Sequence, residues 1–339
     1  MLTILSVGYP FAAVTEDPAG GAEQVLAQID RALVRAGHRS LVLAPEGSRV
    51  AGELLPVPAI GGAIDEASRD ATHQAVAAML NDTLAQRAVD LVHYHGIDFD
   101  AYRADTAVPQ LATLHLPIGW YAERALHSGV LLLPVSVSQA ATAPPRPPLL
   151  PPIANGVDLD LYRPAANKDE FALVLGRVAP EKGFHHAIAA AKKAGMGLVA
   201  AGALYSYPAH QAYFEAEVAP LLDAERRWTG PVAGAGKRRL LAEARCLLVP
   251  STAPETSSLV AMEALASGTP VIAFRSGALP EVVEDGVTGF IVGDEDGMAA
   301  AIGRVDAIDP AACRRAAEAR FDVRRTTQAY LGLYARLAA

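Results

Sequence analysis

Short apolar runs recur along this 339-residue chain, each separated from the next by a stretch long enough to form a helix. In the first half they fall at 2–7, 40–44, 91–95, 110–115 and 131–137. In the second they fall at 171–175, 197–201, 246–249, 271–273 and 289–292. Helical stretches lie between them, for example at about 22–36 and 66–88. Strands that alternate with helices in this way are the mark of parallel α/β units, because a parallel strand pair needs a crossover and a helix supplies it.

The length predicts about two domains. The tract 143–152, Ala-Pro-Pro-Arg-Pro-Pro-Leu-Leu-Pro-Pro, is dense in proline and should be stiff and extended, as a linker between packed domains needs to be. We therefore expect domains at 1–150 and 151–320. A final stretch, 321–339, is amphipathic and carries Tyr330, Leu333, Tyr334 and Leu337 on one face. No internal repeat of solenoid period is present.

Composition narrows the class. Hydrophobic residues make up 51% of the chain and charged residues 19%, enough for two sizeable cores. Cys246 and Cys313 stand alone, which excludes a disulfide framework or structural zinc and fits a reducing, cytoplasmic setting. The start, Met1-Leu-Thr-Ile-Leu-Ser-Val-Gly, is too short and uncharged for a signal peptide. No apolar stretch approaches the roughly 20 residues that span a bilayer. Residues 1–165 hold 10 Arg, no Lys and 17 Asp plus Glu, a net of −7, while the remainder nets −1. An acidic half disfavours nucleic acid and strong association with anionic membrane, and suits a soluble acceptor.

The densest chemistry lies in 254–273, Pro-Glu-Thr-Ser-Ser-Leu-Val-Ala-Met-Glu-Ala-Leu-Ala-Ser-Gly-Thr-Pro-Val-Ile-Ala. It follows a strand, becomes helical at about 259–267, and closes with Gly268 and Pro270. Glu255 falls in the loop before the helix and Glu263 more than a turn inside it. The amides of Ser257, Ser258, Leu259 and Val260 have no partner within the helix, so they can receive an anionic or hydroxyl-rich ligand. Two carboxylates with free amides between them suit a sugar linked to phosphate.

This segment resembles the E-x7-E motif of the retaining family-4 glycosyltransferases, and the resemblance continues through 277–292, Gly-Ala-Leu-Pro-Glu-Val-Val-Glu-Asp-Gly-Val-Thr-Gly-Phe-Ile-Val. It implies the GT-B fold, an α/β architecture of two Rossmann-like parallel-sheet domains facing each other across a cleft. It also implies that Glu255 contacts the transferred sugar and Glu263 the nucleotide ribose. Thr256-Ser257-Ser258 stand where many members carry Pro-Phe-Gly. The run Asn155-Gly-Val-Asp resembles the family's interdomain segment, and 321–337 its last helix, which crosses back onto the first domain.

Further residues join this reading. Gly176-Arg-Val-Ala-Pro-Glu-Lys-Gly follows a strand and opens a helix. There Arg177 offers a planar fork and Lys182 a compact ammonium to a diphosphate. The family's Gly-Arg and Lys-Gly at this spacing carry that role. Gly20-Gly21 before the helix at 22–36 lets backbone approach a ligand. His115 ends a strand within Thr-Leu-His, like the family's Thr-x-His, whose His faces the transferred sugar. His93 and His95 share a face; His95 is expected on the acceptor side, and a metal reading of the pair lacks a carboxylate or Cys partner. Asp98-Phe-Asp100, Asp158-Leu-Asp160 and Asp294-Glu-Asp296 are spaced like a DxD metal motif. In the GT-B fold, cations and a helix terminus take the metal's place, so no catalytic metal or cofactor is expected.

The resemblance thus implies a carbohydrate-biosynthetic enzyme that transfers a hexose, with retention, from a UDP- or GDP-linked donor to a hydroxyl acceptor, a soluble sugar or glycan precursor. Two alternatives share the fold: a nucleotide-sugar epimerase or hydrolysing enzyme, and a non-catalytic sugar-nucleotide binder.

Overall fold

A computed structural model describes residues 1–15, 20–58, 65–145 and 148–339. Positions 146–147 of the proline tract lie outside the described residues. The chain divides into two compact units, Met1–Ala154 with Arg325–Ala339, and Asn155–Arg324.

The first unit is built on six parallel strands: β1 (Thr3–Val7), β2 (Arg39–Pro45), β3 (Glu53–Val57), β4 (Leu91–Tyr94), β5 (Gln110–Leu114) and β6 (Leu131–Pro134), in the order β3-β2-β1-β4-β5-β6. The second repeats that design with β7 (Phe171–Leu175), β8 (Gly197–Ala201), β9 (Arg226–Trp228), β10 (Cys246–Val249), β11 (Val271–Phe274) and β12 (Gly289–Val292), ordered β12-β11-β10-β7-β8-β9. Every pairing is parallel. In each unit the first strand thus lies beside the fourth, and the order reverses there. Ligands of such sheets bind outside the carboxyl ends of the strands at that reversal.

All ten expected strands are present; those at 171–175, 197–201, 246–249 and 289–292 keep their bounds, and the others shift at one or both ends. Two more were not anticipated, β3 and β9, and each is an edge strand. The sequence Glu-Leu-Leu-Pro-Val carries a proline that only an edge tolerates, and Arg-Arg-Trp is held by a single neighbour. The run expected at 131–137 stops as a strand at Pro134, because Ser136 accepts a hydrogen bond from the Gln139 amide and caps a short helix, Val137–Ala141.

Helices cover the sheets through apolar stripes. In helix Gly21–Arg35, Val25, Leu26, Ile29 and Leu33 are buried, each contributing about 1.5–3 kcal/mol. Helix Val323–Leu337 turns Tyr330, Leu333 and Tyr334 inward. From Arg325 onward it belongs to the first unit, where Tyr334 Oη lies 2.7 Å from His93 Nδ1 and Tyr330 Oη 3.1 Å from Thr113 Oγ1. The second unit begins and ends on paired backbone. The Val157 amide donates to the Phe321 carbonyl at 2.8 Å, and the Val323 amide to the Val157 carbonyl at 3.0 Å.

Candidate active site

The reversal point of the second sheet lies between β7 and β10, and the loops leaving these two strands carry the charged residues singled out above. After β7 the chain places Arg177, then a tight turn at Pro180–Lys182, then Gly183. After β10 it runs through Ser251 and Glu255 to helix Leu259–Ala266. Backbone contact joins the loops: the Thr252 amide donates to the Glu181 carbonyl at 3.0 Å. A β-carbon at Gly183, where φ is +64°, would lie 2.3 Å from the Pro250 carbonyl oxygen, so this close approach demands glycine.

Across that junction Lys182 Nζ donates to Glu255 Oε1 at 2.6 Å, and the Ser251 hydroxyl donates to the same oxygen. Burial pushes the Glu255 carboxyl up, but the Lys182 ammonium and the Ser251 hydroxyl outweigh it and hold the group below its ordinary value. Glu255 is therefore an ionised acceptor and not a proton donor at neutral pH. Arg177 lies 3.4 Å from Glu181, with its side chain 35% exposed and so within reach of a ligand.

A third loop supports Glu255 from below. The Ala278 amide donates to the Glu255 carbonyl at 2.7 Å, and Ser276 Oγ to the Ala253 carbonyl at 2.8 Å. Gly277 lies directly against the Glu255 peptide: a β-carbon there would come within 2.1 Å of the carbonyl oxygen, at φ +54°.

Helix Leu259–Ala266 starts at Ser258, whose backbone is left-handed at φ 55°, ψ 68°. This is a conformation that glycine adopts without strain and serine does not. The amides of Leu259 and Val260 have no acceptor within the helix. Thr256 is half-buried in the loop before it, and Ser257 and Ser258 are buried. At the far end the Gly268 amide donates to the Leu265 carbonyl and the Thr269 amide to the Ala264 carbonyl, the paired closure expected of a glycine stop.

Glu263 is 1% exposed. Its Oε1 accepts from Tyr162 Oη and from Lys237 Nζ, both at 2.7 Å. Sequence reasoning did not single out Ser251, Tyr162 or Lys237. For Lys237 a signal existed, since Gly-Ala-Gly-Lys at 234–237 opens a helix, but its partner is 26 residues away.

In the first unit, His95 and His115 follow β4 and β5 and meet ring to ring, Nδ1 to Nε2 at 3.0 Å. Burial pushes the His115 imidazole down to about 3 and holds His93 and His95 well below the ordinary value. His93 spends both nitrogens on Tyr334 and Thr113, leaving none for a metal. Buried His95 Nε2 has no hydrogen-bond partner among the described residues. Gly20 and Gly21 start their helix as expected, and a β-carbon at position 20 would meet the Glu23 carboxylate at 1.9 Å. The carboxylate folds back over that helix end. Of the acidic triplets, Asp98 pairs with His73 at 2.7 Å and Asp100 with Arg124. Among the described residues no three His, Cys, Asp or Glu side chains gather as a metal site.

Two six-stranded parallel sheets of this order define the GT-B fold. Residues 19–136 match the model of glycosyltransferase family 4, and residues 170–306 that of the glycosyl transferases group 1. The chain belongs to the family-4 glycosyltransferases. It is 37% identical over 204 residues to the D-inositol 3-phosphate glycosyltransferase of Mycolicibacterium paratuberculosis, covering 53% of this chain and 46% of that protein. The chain thus spans about half the length of the curated relatives it matches. Among solved structures, AviGT4, a glycosyltransferase involved in avilamycin A biosynthesis, aligns over 100% of this chain and 98% of its own, with a TM-score of 0.73 and 26% identity. HepE of Anabaena, solved in complex with UDP and glucose, aligns over 99% and 100% with a TM-score of 0.75 and 22% identity. No helix among the described residues is long and apolar enough to cross a membrane.

Proposed function

We propose that this chain is a retaining hexosyltransferase that moves a sugar from a nucleoside diphosphate donor, UDP-linked in the first instance, to a hydroxyl of a sugar or glycan precursor. The observation that carries the reading is the Lys182–Glu255 contact at the strand reversal. An ammonium there neutralises charge on a leaving diphosphate, and Arg177 adds a second cation on the same loop. An ionised Glu255, already holding Lys182 and Ser251, accepts a sugar hydroxyl and opposes the positive charge that develops at an anomeric carbon. Helix amides at 259 and 260 complete the cradle for the diphosphate, and Glu263 is assigned to the ribose. His115 and His95 are assigned to the sugar and acceptor side.

In this reading the leaving diphosphate itself takes the proton of the acceptor hydroxyl, so substitution proceeds on one face and configuration is kept. No metal is called for, since Arg177 and Lys182 already supply two positive charges. The UDP preference rests on HepE, solved with UDP. Incubation with UDP-, GDP- and ADP-linked hexoses plus a panel of sugar acceptors should release nucleoside diphosphate only when donor and acceptor are both present. Release at the same rate without any acceptor would replace transfer by hydrolysis, and no turnover with any donor would remove the enzymatic reading.

A further inference from the structure

His95 Nδ1 and His115 Nε2 lie 3.0 Å apart, with ring centroids 5.2 Å apart and planes inclined by 18°. Burial keeps both imidazoles neutral, so each ring has one protonated and one bare nitrogen. The bond between them therefore has two possible directions. Either His95 donates from Nδ1, or His115 donates from Nε2.

The other nitrogen of His95 decides. His95 is 3% exposed, and its Nε2 has no hydrogen-bond partner among the described residues. A proton there would be a buried N–H with nothing to receive it, which folded proteins avoid more strictly than an unpaired acceptor. The proton of His95 is therefore on Nδ1 and is donated to His115 Nε2. A ring nitrogen that accepts is bare, so the one proton of His115 sits on Nδ1. The surroundings hold this arrangement in place. The His95 amide donates to the Val7 carbonyl at 2.9 Å, and its ring packs 4.0 Å from that of His93, whose nitrogens are held by Tyr334 and Thr113.

We propose that His95 is a positioning residue that fixes the tautomer of His115, so that His115 offers the transferred sugar a hydrogen-bond donor at Nδ1 and no base. This rests on the transfer reading above, in which His115 is assigned to the sugar. A donor of this kind meets the oxygen of a sugar hydroxyl. It cannot take the proton of the acceptor hydroxyl, which leaves that task to the diphosphate.

Long-range proton–nitrogen correlation spectra of the full chain, labelled in its histidine nitrogens and held at pH 7.5, distinguish protonated from bare ring nitrogens. His115→Gln assigns the signals. Native His115 should show Nδ1 protonated and Nε2 bare, and a protonated Nε2 overturns the proposal whatever the variants do. His95→Asn keeps an amide N–H near the place of Nδ1, whereas His95→Leu removes the donor. The His115 proton should stay on Nδ1 in the asparagine variant and move to Nε2 in the leucine variant. Turnover should fall about tenfold or more with leucine and stay within about threefold of native with asparagine. UDP affinity should be unchanged in both, because UDP lacks the hexose. Native turnover in His95→Leu, or equal losses in the two variants, overturns the positioning role. A chain that shows the expected tautomer but turns over no nucleotide sugar overturns the transferase reading, and the role given to His115 falls with it.

Discussion

Lys182 Nζ stands 2.6 Å from Glu255 Oε1, although the two residues are 73 positions apart. The pair forms because β7 and β10 are neighbours at the reversal of the second sheet, which brings the loops after them into contact. Each partner sets the other's state: the ammonium keeps a mostly buried carboxylate ionised, and the carboxylate fixes a flexible four-carbon side chain.

Replacing Lys182 by Met should lower UDP affinity about tenfold through loss of a charge-assisted contact. It should also raise the Glu255 pKa, because burial would then be opposed only by the Ser251 hydroxyl and the more distant Arg177. The folded-state value is lowered in the native chain, so the carboxylate contributes stability above its unfolded value and loses it as pH falls through the folded one. In Lys182→Met the acid limb of the rate profile should move to higher pH. Arg177→Ala should weaken UDP to a similar degree and move that limb less. Unshifted limbs in both variants would separate Glu255 from the chemistry.

The two glutamates should part under mutation. Glu255→Gln keeps the shape and removes the charge, so turnover should fall tenfold or more while UDP affinity changes by less than about threefold. Glu263→Gln should weaken UDP itself, since ribose is common to donor and product. Calorimetry and initial rates with the effects exchanged would reverse the orientation of the donor along helix Leu259–Ala266.

Lys237→Met removes the ammonium 2.7 Å from the 1%-exposed Glu263 carboxylate and should cost about 3–5 kcal/mol in urea unfolding. Tyr162→Phe removes a hydrogen bond to the same oxygen and should cost about 1 kcal/mol. The double variant Lys237→Met, Glu263→Met should recover most of the loss. No recovery would mean that Lys237 acts through packing and not through charge.

Acid should destabilise the first unit through its histidines. His93, His95 and His115 all have lowered folded values, with His115 at about 3. For His115, between that value and about 6.5 the unfolded chain binds the proton that the folded chain refuses. Its contribution is therefore complete above about 6.5 and is lost as pH falls, at about 1.4 kcal/mol per pH unit, and His93 and His95 act in the same direction. Unfolding free energies measured at pH 7.5, 6 and 5 should fall less steeply in His93→Gln than in the native chain. Equal slopes would show that His93 is protonated while folded.

Gly277→Ala places a β-carbon within 2.1 Å of the Glu255 carbonyl, at a positive φ. The Glu255 loop must then shift, and turnover should fall at least tenfold, as a displaced catalytic group near 1 Å costs about a hundredfold. Native turnover in this variant would show that the loop tolerates displacement.

The sequence disclosed the parallel sheets because interior strands such as β7 and β10 are apolar throughout. Strands β3 and β9 escaped because an edge needs only one partner and so accepts Pro56 and Arg227. The residues proposed for the donor site were legible for a related reason: Arg177, Lys182, Glu255 and Glu263 each lie in a short motif. Ser251, Tyr162 and Lys237 have their meaning only in partners reached through folding. Tyr162 finds Glu263 across 101 positions, and no local pattern carries such a pairing. The left-handed backbone of Ser258 has no signal in the sequence.

The first unit is assembled from two separate stretches of chain, 1–154 and 325–339, whereas the second is continuous. Synthesis from the amino end therefore delivers all of the second unit before Tyr330 and Tyr334 exist to meet Thr113 and His93. The half of the molecule begun first is the half finished last. Until residues 325–339 emerge, β4 and β5 keep a polar histidine–threonine pair and an uncovered apolar surface, a state open to chaperones and proteases. Translation cut short after residue 324 would yield a finished second unit attached to an unfinished first one, and such products should be cleared selectively.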